Sequence, residues 1–195
     1  MDPRAFERAL AECDAAHRKL EEMKQAADIS SLAAKWSEIL VLVQRVFTKM
    51  NIATKDDAGA KQWFRDILDT QQNDPLLKYV KTARDFDEHG IDRIVNRLPS
   101  GVGFRGRSGN EDGYIDYLSV QGNTITLGPE AVKNLSIVFV PAAVELIAVR
   151  ERDVSYTPPD THLGAAISVA TPIAVAELAC AFLARMITDA RQQFG

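Results

Sequence analysis

Cysteine and histidine are scarce in this sequence, which narrows the chemistry that it can support. The 195 residues include two cysteines and three histidines, and no pair of them has the spacing of a metal site. Cys13 and Cys180 lie far apart, each within an apolar pattern typical of a helix. Cysteines in such patterns are usually small buried side chains of a protein in a reducing compartment, and not part of a disulfide framework. We therefore predict a cytoplasmic protein that uses no metal and no other cofactor.

We expect neither a secretion signal nor a membrane span in this sequence, and it has no excess of positive charge. Its first ten residues, MDPRAFERAL, are charged and contain no apolar signal core. Residues 163–184 carry one charge, Glu177, but they are rich in alanine and contain Pro172, which favours a buried helix over a membrane span. The formal net charge of −4 excludes a surface that attracts nucleic acids as a whole, so contact with RNA or DNA requires a local basic patch.

Apolar residues recur at steps of three and four through the first half of the chain, and this period predicts helices. Four helix starts are marked by capping residues, two of them followed by proline: Asp2-Pro3, Ser30-Ser31, Asp56-Asp57 and Asn73-Asp74-Pro75. The fourth helix either ends at Gly90 or continues to Pro99. A fifth helix begins at Thr171-Pro172 and is apolar on most sides, as expected in the middle of a bundle.

The middle of the chain has a different composition. Five glycines between residues 101 and 113 predict a loop, and the lack of a following Gly-Lys-Ser/Thr excludes a phosphate-binding P-loop. Four short β-type runs come next, of which the first two flank Gln121-Gly122-Asn123 as in a hairpin: residues 114–120, 124–127, 136–140 and 144–149. Residues 156–164 form a proline-rich connector.

These patterns predict a mainly α protein, a four- to five-helix bundle with a small antiparallel β-rich insertion before the last helix. Residues 1–98 are expected to form the helical bundle, and residues 99–165 the Gly-rich loop and insertion. Residues 166–195 are expected to form the C-terminal helix, which returns to the bundle and completes one structural domain.

Charged residues near the end of the fourth predicted helix form a recognisable motif. Arg84 is followed directly by Asp85 and, after four intervening residues, by His89. This resembles the Arg-x(4–6)-His signature of the HEPN superfamily, which favours Asn, Asp or His after the arginine. HEPN proteins are helical bundles. Many are metal-independent ribonucleases of toxin–antitoxin and phage-defence systems, and others are inactive and bind partners. The resemblance covers at most the helices of residues 1–98 and 171–194.

The resemblance implies a catalytic site in which Arg84 stabilises phosphate, His89 acts as acid and base, and Asp85 orients His89. Histidine titrates near neutral pH and arginine offers two parallel donors to phosphate oxygens, so these residue types suit metal-free RNA cleavage. Five residues of helix turn the chain by about 500°, which leaves Arg84 and His89 about 140° apart. One helix cannot bring both to one phosphate, and the resemblance implies a homodimer in which two such helices face each other.

Four arginines follow the motif with no acidic residue between them: Arg93, Arg97, Arg105 and Arg107. Beside a ribonuclease site they would form a basic surface that binds nucleic acid. Alternatively, two of them extend along the surface of a helix and two lie on a loop.

Ordinary structural roles also explain the charges of the motif. Arg84 can pair with Glu88, and Lys81 with Asp85, because residues four apart share a helix face. His89 can cap the C-terminus of the helix, where a positive charge is favoured.

We predict structural roles for the other two histidines. His17 lies on the apolar face of the first helix, as expected of a hydrogen-bonded core histidine. His162 is expected to be a loop residue that has no partner nearby in sequence.

Two functions fit this sequence. The first is a HEPN-like, metal-independent RNA-cleaving or RNA-binding protein of a toxin–antitoxin or phage-defence system. The second is a catalytically inactive helical module that binds a partner protein, such as an antitoxin or a nucleotidyltransferase-like protein, through its β-rich insertion.

Overall fold

Helices dominate the part of the chain that this computed structural model describes. That part comprises residues 1–89, 94–106, 115–122, 124–129 and 135–195, with the side chains of residues 88 and 89 outside it. The helices are α1 (Pro3–Lys24), α2 (Ile29–Ala53), α3 (Ala58–Asn73), α4 (Pro75–His89) and α5 (Pro172–Phe194). The prediction of a mainly α protein is confirmed, since 57% of the residues are helical and 22% are in strands.

The predicted helix starts are confirmed with one correction, at α2. The prediction of a cap at Ser30-Ser31 is wrong, because Asp28 accepts the N–H groups of both serines, at 2.9 and 2.8 Å, and α2 begins at Ile29. A carboxylate also complements the positive end of the helix dipole, which a hydroxyl does not. The remaining helices begin at the predicted capping residues Asp2, Asp57, Asp74 and Thr171.

Short strands occupy the chain between α4 and α5. They are β1 (Val95–Leu98), β2 (Gly101–Gly106), β3 (Leu118–Gln121), β4 (Thr124–Leu127), β5 (Leu135–Val140), β6 (Ala143–Leu146), β7 (Val149–Glu151), β8 (Val154–Tyr156), β9 (Thr161–His162) and β10 (Ala165–Ala166). The pairs are β1–β6, β2–β5, β3–β4, β7–β8 and β9–β10, of which the last four are antiparallel.

The strands confirm the β-rich insertion before the last helix and revise its details. The prediction of a loop is wrong for residues 101–106, because they form β2 and pair with β5, while residues 107–113 lie outside the described part of the chain. The predicted hairpin is confirmed as β3 and β4, which turn at Gly122 with a φ of 58°. The alternative in which the fourth helix continues to Pro99 is wrong, because residues 95–98 form β1 and pair with β6. The connector of residues 156–164 also contains a strand, β9.

The described chain divides into two compact units. The larger unit contains residues 1–97 and 144–195, and the smaller unit contains residues 98–143. All five helices and the strands β7 to β10 therefore belong to the larger unit, and β2 to β5 belong to the smaller one.

The core of the larger unit contains residues from all five helices and from β1, β6 and β7. Its largest fully buried side chains include Trp36, Phe64 and Tyr79. The Tyr79 hydroxyl donates to the carbonyl of Ile147 at 2.8 Å and so connects α4 to the segment between β6 and β7. Burial raises the pKa of Tyr79, which keeps the hydroxyl protonated as this donor.

Both cysteines are free and buried, as predicted. Burial raises the pKa of Cys13 to about 11 and that of Cys180 to about 12, so both remain unreactive thiols at neutral pH. The Nδ1 atom of His17 lies 2.9 Å from the carbonyl oxygen of Cys13, which confirms the predicted hydrogen bond, but the side chain is half-buried at the edge of the helix and not in the core.

The apolar stretch near the C-terminus packs into this core. The prediction of a buried helix in residues 163–184 is confirmed from Pro172 onward, where α5 carries ten buried residues. Among the described residues, none of the helices combines the length and apolar character that a bilayer crossing requires.

Candidate functional site

The Arg84–Asp85 pair lies on α4, one to two turns before the helix ends. The Arg84 guanidinium donates through Nη1 to Asp85 Oδ1 at 2.8 Å, and both side chains are partly exposed. Asp85 thus contacts Arg84 and not Lys81 in this structure. The predicted contact between Asp85 and His89, and the alternative pair of Arg84 with Glu88, involve side chains outside the described part of the chain.

Two of the four arginines that follow the motif lie within the described residues, one in each unit. Arg97 is exposed on β1 and donates to the Ser30 hydroxyl at 3.1 Å. Arg105 is exposed on β2 in the smaller unit, while Arg93 and Arg107 lie outside the described residues. A shared basic surface therefore stays a prediction.

His162 is part of a buried polar cluster that the sequence analysis missed. The prediction of a loop residue is wrong, because His162 lies on β9 and its side chain is 8% exposed. Its Nδ1 atom lies 2.9 Å from Oδ1 of Asp74, whose side chain is 4% exposed. The partner is 88 positions away in the chain, so no local sequence signal could indicate it.

Asp74 joins three segments through its carboxylate. Oδ1 accepts the N–H of Leu77 at 2.9 Å, which caps α4, and it also accepts the Nδ1 proton of His162. Oδ2 accepts the N–H of Leu163 at 2.6 Å. We call Asp74 and His162 with these two backbone donors the aspartate clamp.

The electrostatics of the aspartate clamp favour an ionised Asp74. Burial alone would raise the pKa of this carboxyl, but the hydrogen bonds from Leu163, Leu77 and His162 together outweigh burial and hold the pKa of Asp74 below its usual value. A carboxylate only accepts hydrogen bonds, so the Nδ1 atom of His162 must carry the proton that it shares with Asp74.

The other ring nitrogen of His162 determines what the clamp can do. Nε2 is enclosed and has no hydrogen-bond partner in the described part of the chain. The imidazole lies edge-on to the Phe182 ring, with the ring centres 6.1 Å apart. A general base needs to reach its substrate through this nitrogen. The clamp therefore has the orienting half of a catalytic triad, but the nitrogen that would act on a substrate is enclosed, which favours a structural role.

The clamp also holds a strained turn. Leu163 and Gly164 connect β9 to β10 with φ angles of 48° and 81°, as in a two-residue hairpin of type I′. The left-handed conformation costs a residue such as leucine about 1–2 kcal/mol. The hydrogen bond from Leu163 to the Asp74 carboxylate offsets part of this cost.

The smaller unit carries most of the exposed apolar side chains. Of the fourteen large hydrophobic residues that are exposed in the described chain, ten belong to residues 98–143. In the β2–β5 ribbon, Val102 pairs with Phe139 and Phe104 with Ile137, so these four side chains share one face. We call this set the ribbon face. The β5 strand was predicted from the sequence, but the exposure of this face was not.

Comparison of the chain with protein-family models, with curated proteins and with solved structures gave no match.

Proposed function

We propose that this chain is a helical protein-interaction module that binds a partner protein through the ribbon face. The observation that carries the proposal is the exposure of this face: Ile137 is 66% exposed, Phe139 69% and Val102 45%. A two-stranded ribbon cannot cover its own apolar face. Contiguous apolar patches of this kind mark sites where another protein binds.

The chemistry of the ribbon face suits a protein partner. None of its four side chains is charged or polar, and two are phenylalanines, a residue type enriched in the buried centres of interfaces. The opposite face is mixed, because Arg105 pairs with Ser136 there beside Val138 and Val140, which are 36% and 48% exposed. Burial of one exposed phenylalanine contributes on the order of 2 kcal/mol to association.

The proposal extends to the whole chain. The five helices form a bundle, the β-rich insertion is its recognition surface, and the protein acts in the cytoplasm, where its two buried thiols stay reduced. The partner is an antitoxin-like or nucleotidyltransferase-like protein encoded by a neighbouring reading frame.

Co-expression with the product of the neighbouring reading frame tests this function. We expect the two proteins to co-purify, and we expect the double substitution Ile137→Ser, Phe139→Ser to weaken the complex at least about a hundredfold, because central aromatic and aliphatic anchors dominate binding. The matched control is Val154→Ser with Val169→Ser, since these valines are 53% and 64% exposed in the larger unit. Calorimetry measures the affinity of each double variant for the partner. An equal loss of affinity in both would contradict the proposal.

The second candidate is a HEPN-like homodimer that binds or cleaves RNA without metal. The observation that favours it is the orientation of Arg84, whose guanidinium is held by Asp85 at 2.8 Å and remains partly exposed. In this candidate Arg84 and His89 act on the phosphate, and Arg93, Arg97, Arg105 and Arg107 bind the nucleic acid backbone. A guanidinium held in one orientation binds phosphate at a lower entropic cost than a free side chain.

Growth inhibition on expression tests the second candidate. We expect toxicity that Arg84→Ala and His89→Ala each abolish, whereas Arg150→Ala, which removes an exposed arginine of β7, leaves it unchanged. RNA cleavage by the purified protein should persist in a chelator. Toxicity that survives both motif substitutions, or a monomer in sedimentation at micromolar concentration, would exclude the catalytic candidate.

A further inference from the structure

A cleft of about 370 Å³ lies where the last turn of α2 meets one face of α3. On the α3 side, Lys61, Arg65 and Leu68 line it at steps of four and three, so they share one face of that helix. On the other side are Ile52 and Lys55, from the end of α2 and the turn after it. We call this the cation cleft. It lies entirely within the larger unit.

The charge of the cation cleft is uncompensated. Of the described residues that line it, three are cations and none is acidic. Neither Lys55 nor Lys61 forms an ion pair within the described chain, and Arg65 donates to the neutral Gln62 side chain, at 3.4 Å.

A second cleft, between α1 and α2, holds negative charges beside its positive ones. It has three cations as well, but two glutamates also line it, and Lys19 lies 2.7 Å from Glu22 and 2.8 Å from Glu38. In the cation cleft, Lys61 and Arg65 instead repel each other at four residues' separation on one helix face. An anion between them would remove this repulsion, and a concave site concentrates the field of its charges on such an anion.

The remaining walls of the cation cleft indicate the rest of the ligand. Ile52, in the last turn of α2, is 46% exposed. Leu68 is half-buried and lies three residues after Arg65 on α3. These side chains offer an apolar surface beside the three cations. A ligand that is an anion alone would leave that surface in water.

We propose that the cation cleft binds a small phosphate ester, with its phosphate among Lys55, Lys61 and Arg65 and its apolar or planar part against Ile52 and Leu68. The guanidinium of Arg65 supplies two parallel donors to phosphate oxygens, and the two lysines add compact positive charges. This site is independent of the ribbon face and of the Arg84 motif, so it goes beyond both proposed functions.

Titration of the ¹⁵N-labelled full chain with AMP tests the proposal. We expect AMP to shift the amide signals of residues 51–68 and to bind at least tenfold more tightly than adenosine, which lacks the phosphate, and than inorganic phosphate, which lacks the planar group. The double substitution Lys61→Gln, Arg65→Gln should weaken AMP binding at least tenfold. Both side chains are exposed, so the variant should keep the wild-type circular dichroism spectrum.

The matched control is Arg8→Gln with Arg185→Gln, which removes the same charge from exposed positions of α1 and α5 and should change AMP affinity less than twofold. The proposal is overturned if 5 mM AMP shifts none of these amides, if the two double variants lose affinity equally, or if adenosine or phosphate binds as tightly as AMP. Much tighter binding of a single-stranded RNA octamer, lost in the Lys61 and Arg65 variant, would assign the cleft to a polynucleotide and also overturn it.

Discussion

Replacement of Asp74 by alanine is expected to destabilise the protein by about 3–5 kcal/mol, because hydrogen bonds to a buried charged group contribute about 1.5–3 kcal/mol each and their effects do not add fully. The carboxylate accepts hydrogen bonds from Leu77, Leu163 and His162, and alanine satisfies none of them. Three consequences then combine: α4 loses its cap, the strained turn at Leu163 loses its tether, and His162 is left buried without a partner.

Urea unfolding of the purified variant at pH 7 measures this loss, and Asp57→Ala is the matched control. Asp57 also caps a helix, α3, by accepting the N–H of Ala60 at 2.9 Å, but its side chain is far more exposed, so we expect a loss of about 1 kcal/mol. The combined variant Asp74→Ala, His162→Ala should lose less than the sum of the single losses, because it no longer buries an unpaired imidazole. A loss at Asp74 no larger than that at Asp57 would show that the aspartate clamp contributes only an ordinary cap.

The stabilisation by Asp74 is expected to disappear in acid. Its hydrogen bonds hold the pKa of Asp74 below its usual value in the folded protein, while the unfolded chain has the ordinary value of about 3.9. The unfolded state therefore binds a proton more readily, so falling pH favours unfolding. The contribution of Asp74 is fully present above the unfolded pKa and is lost as the pH falls through the lower folded pKa.

A comparison of the wild type with Asp74→Asn between pH 5 and pH 2 measures this effect, because asparagine resembles a permanently neutral carboxyl group. We expect the wild type to be more stable by a constant amount above about pH 5 and the two unfolding free energies to converge as the pH falls below about 4. Asp14→Asn, a substitution at an exposed position of α1, should instead follow the wild type at every pH. A difference at Asp74 that stays constant down to pH 2 would show that the hydrogen-bond geometry, and not the charge, is what stabilises the clamp.

These two experiments also separate the aspartate clamp from the proposed binding surfaces. The clamp belongs to the larger unit, whereas the ribbon face belongs to residues 98–143. Ile137 and Phe139 are mostly exposed, so their replacement by serine should change partner binding without the loss of stability expected at Asp74. The effect on stability and the effect on partner binding can therefore be tested separately, by substitutions at different residues of the chain.

Features with local physical causes could be predicted from the amino-acid sequence. The period of apolar residues and the capping aspartates predicted the helices, because a helix is stabilised by contacts three and four residues apart and by side chains at its first turn. The correction at Asp28 moved one helix start by only two residues. The β3–β4 hairpin was also predicted, since its turn around Gly122 is a local preference, and Cys13 and Cys180 were predicted to be buried from the apolar patterns that contain them.

Features that depend on residues distant in sequence became visible only in the folded chain. Residues 95–98 fit a helical period but pair as β1 with β6, because strand pairing overrides a marginal local preference. Alternation along β2 and β5 indicates which side chains share a face, but only the packed structure shows that nothing in the described chain covers Ile137 and Phe139. The partner of His162 lies 88 residues away, and a hydrogen bond over that separation exists only once the chain has folded, which is why no local pattern reveals it.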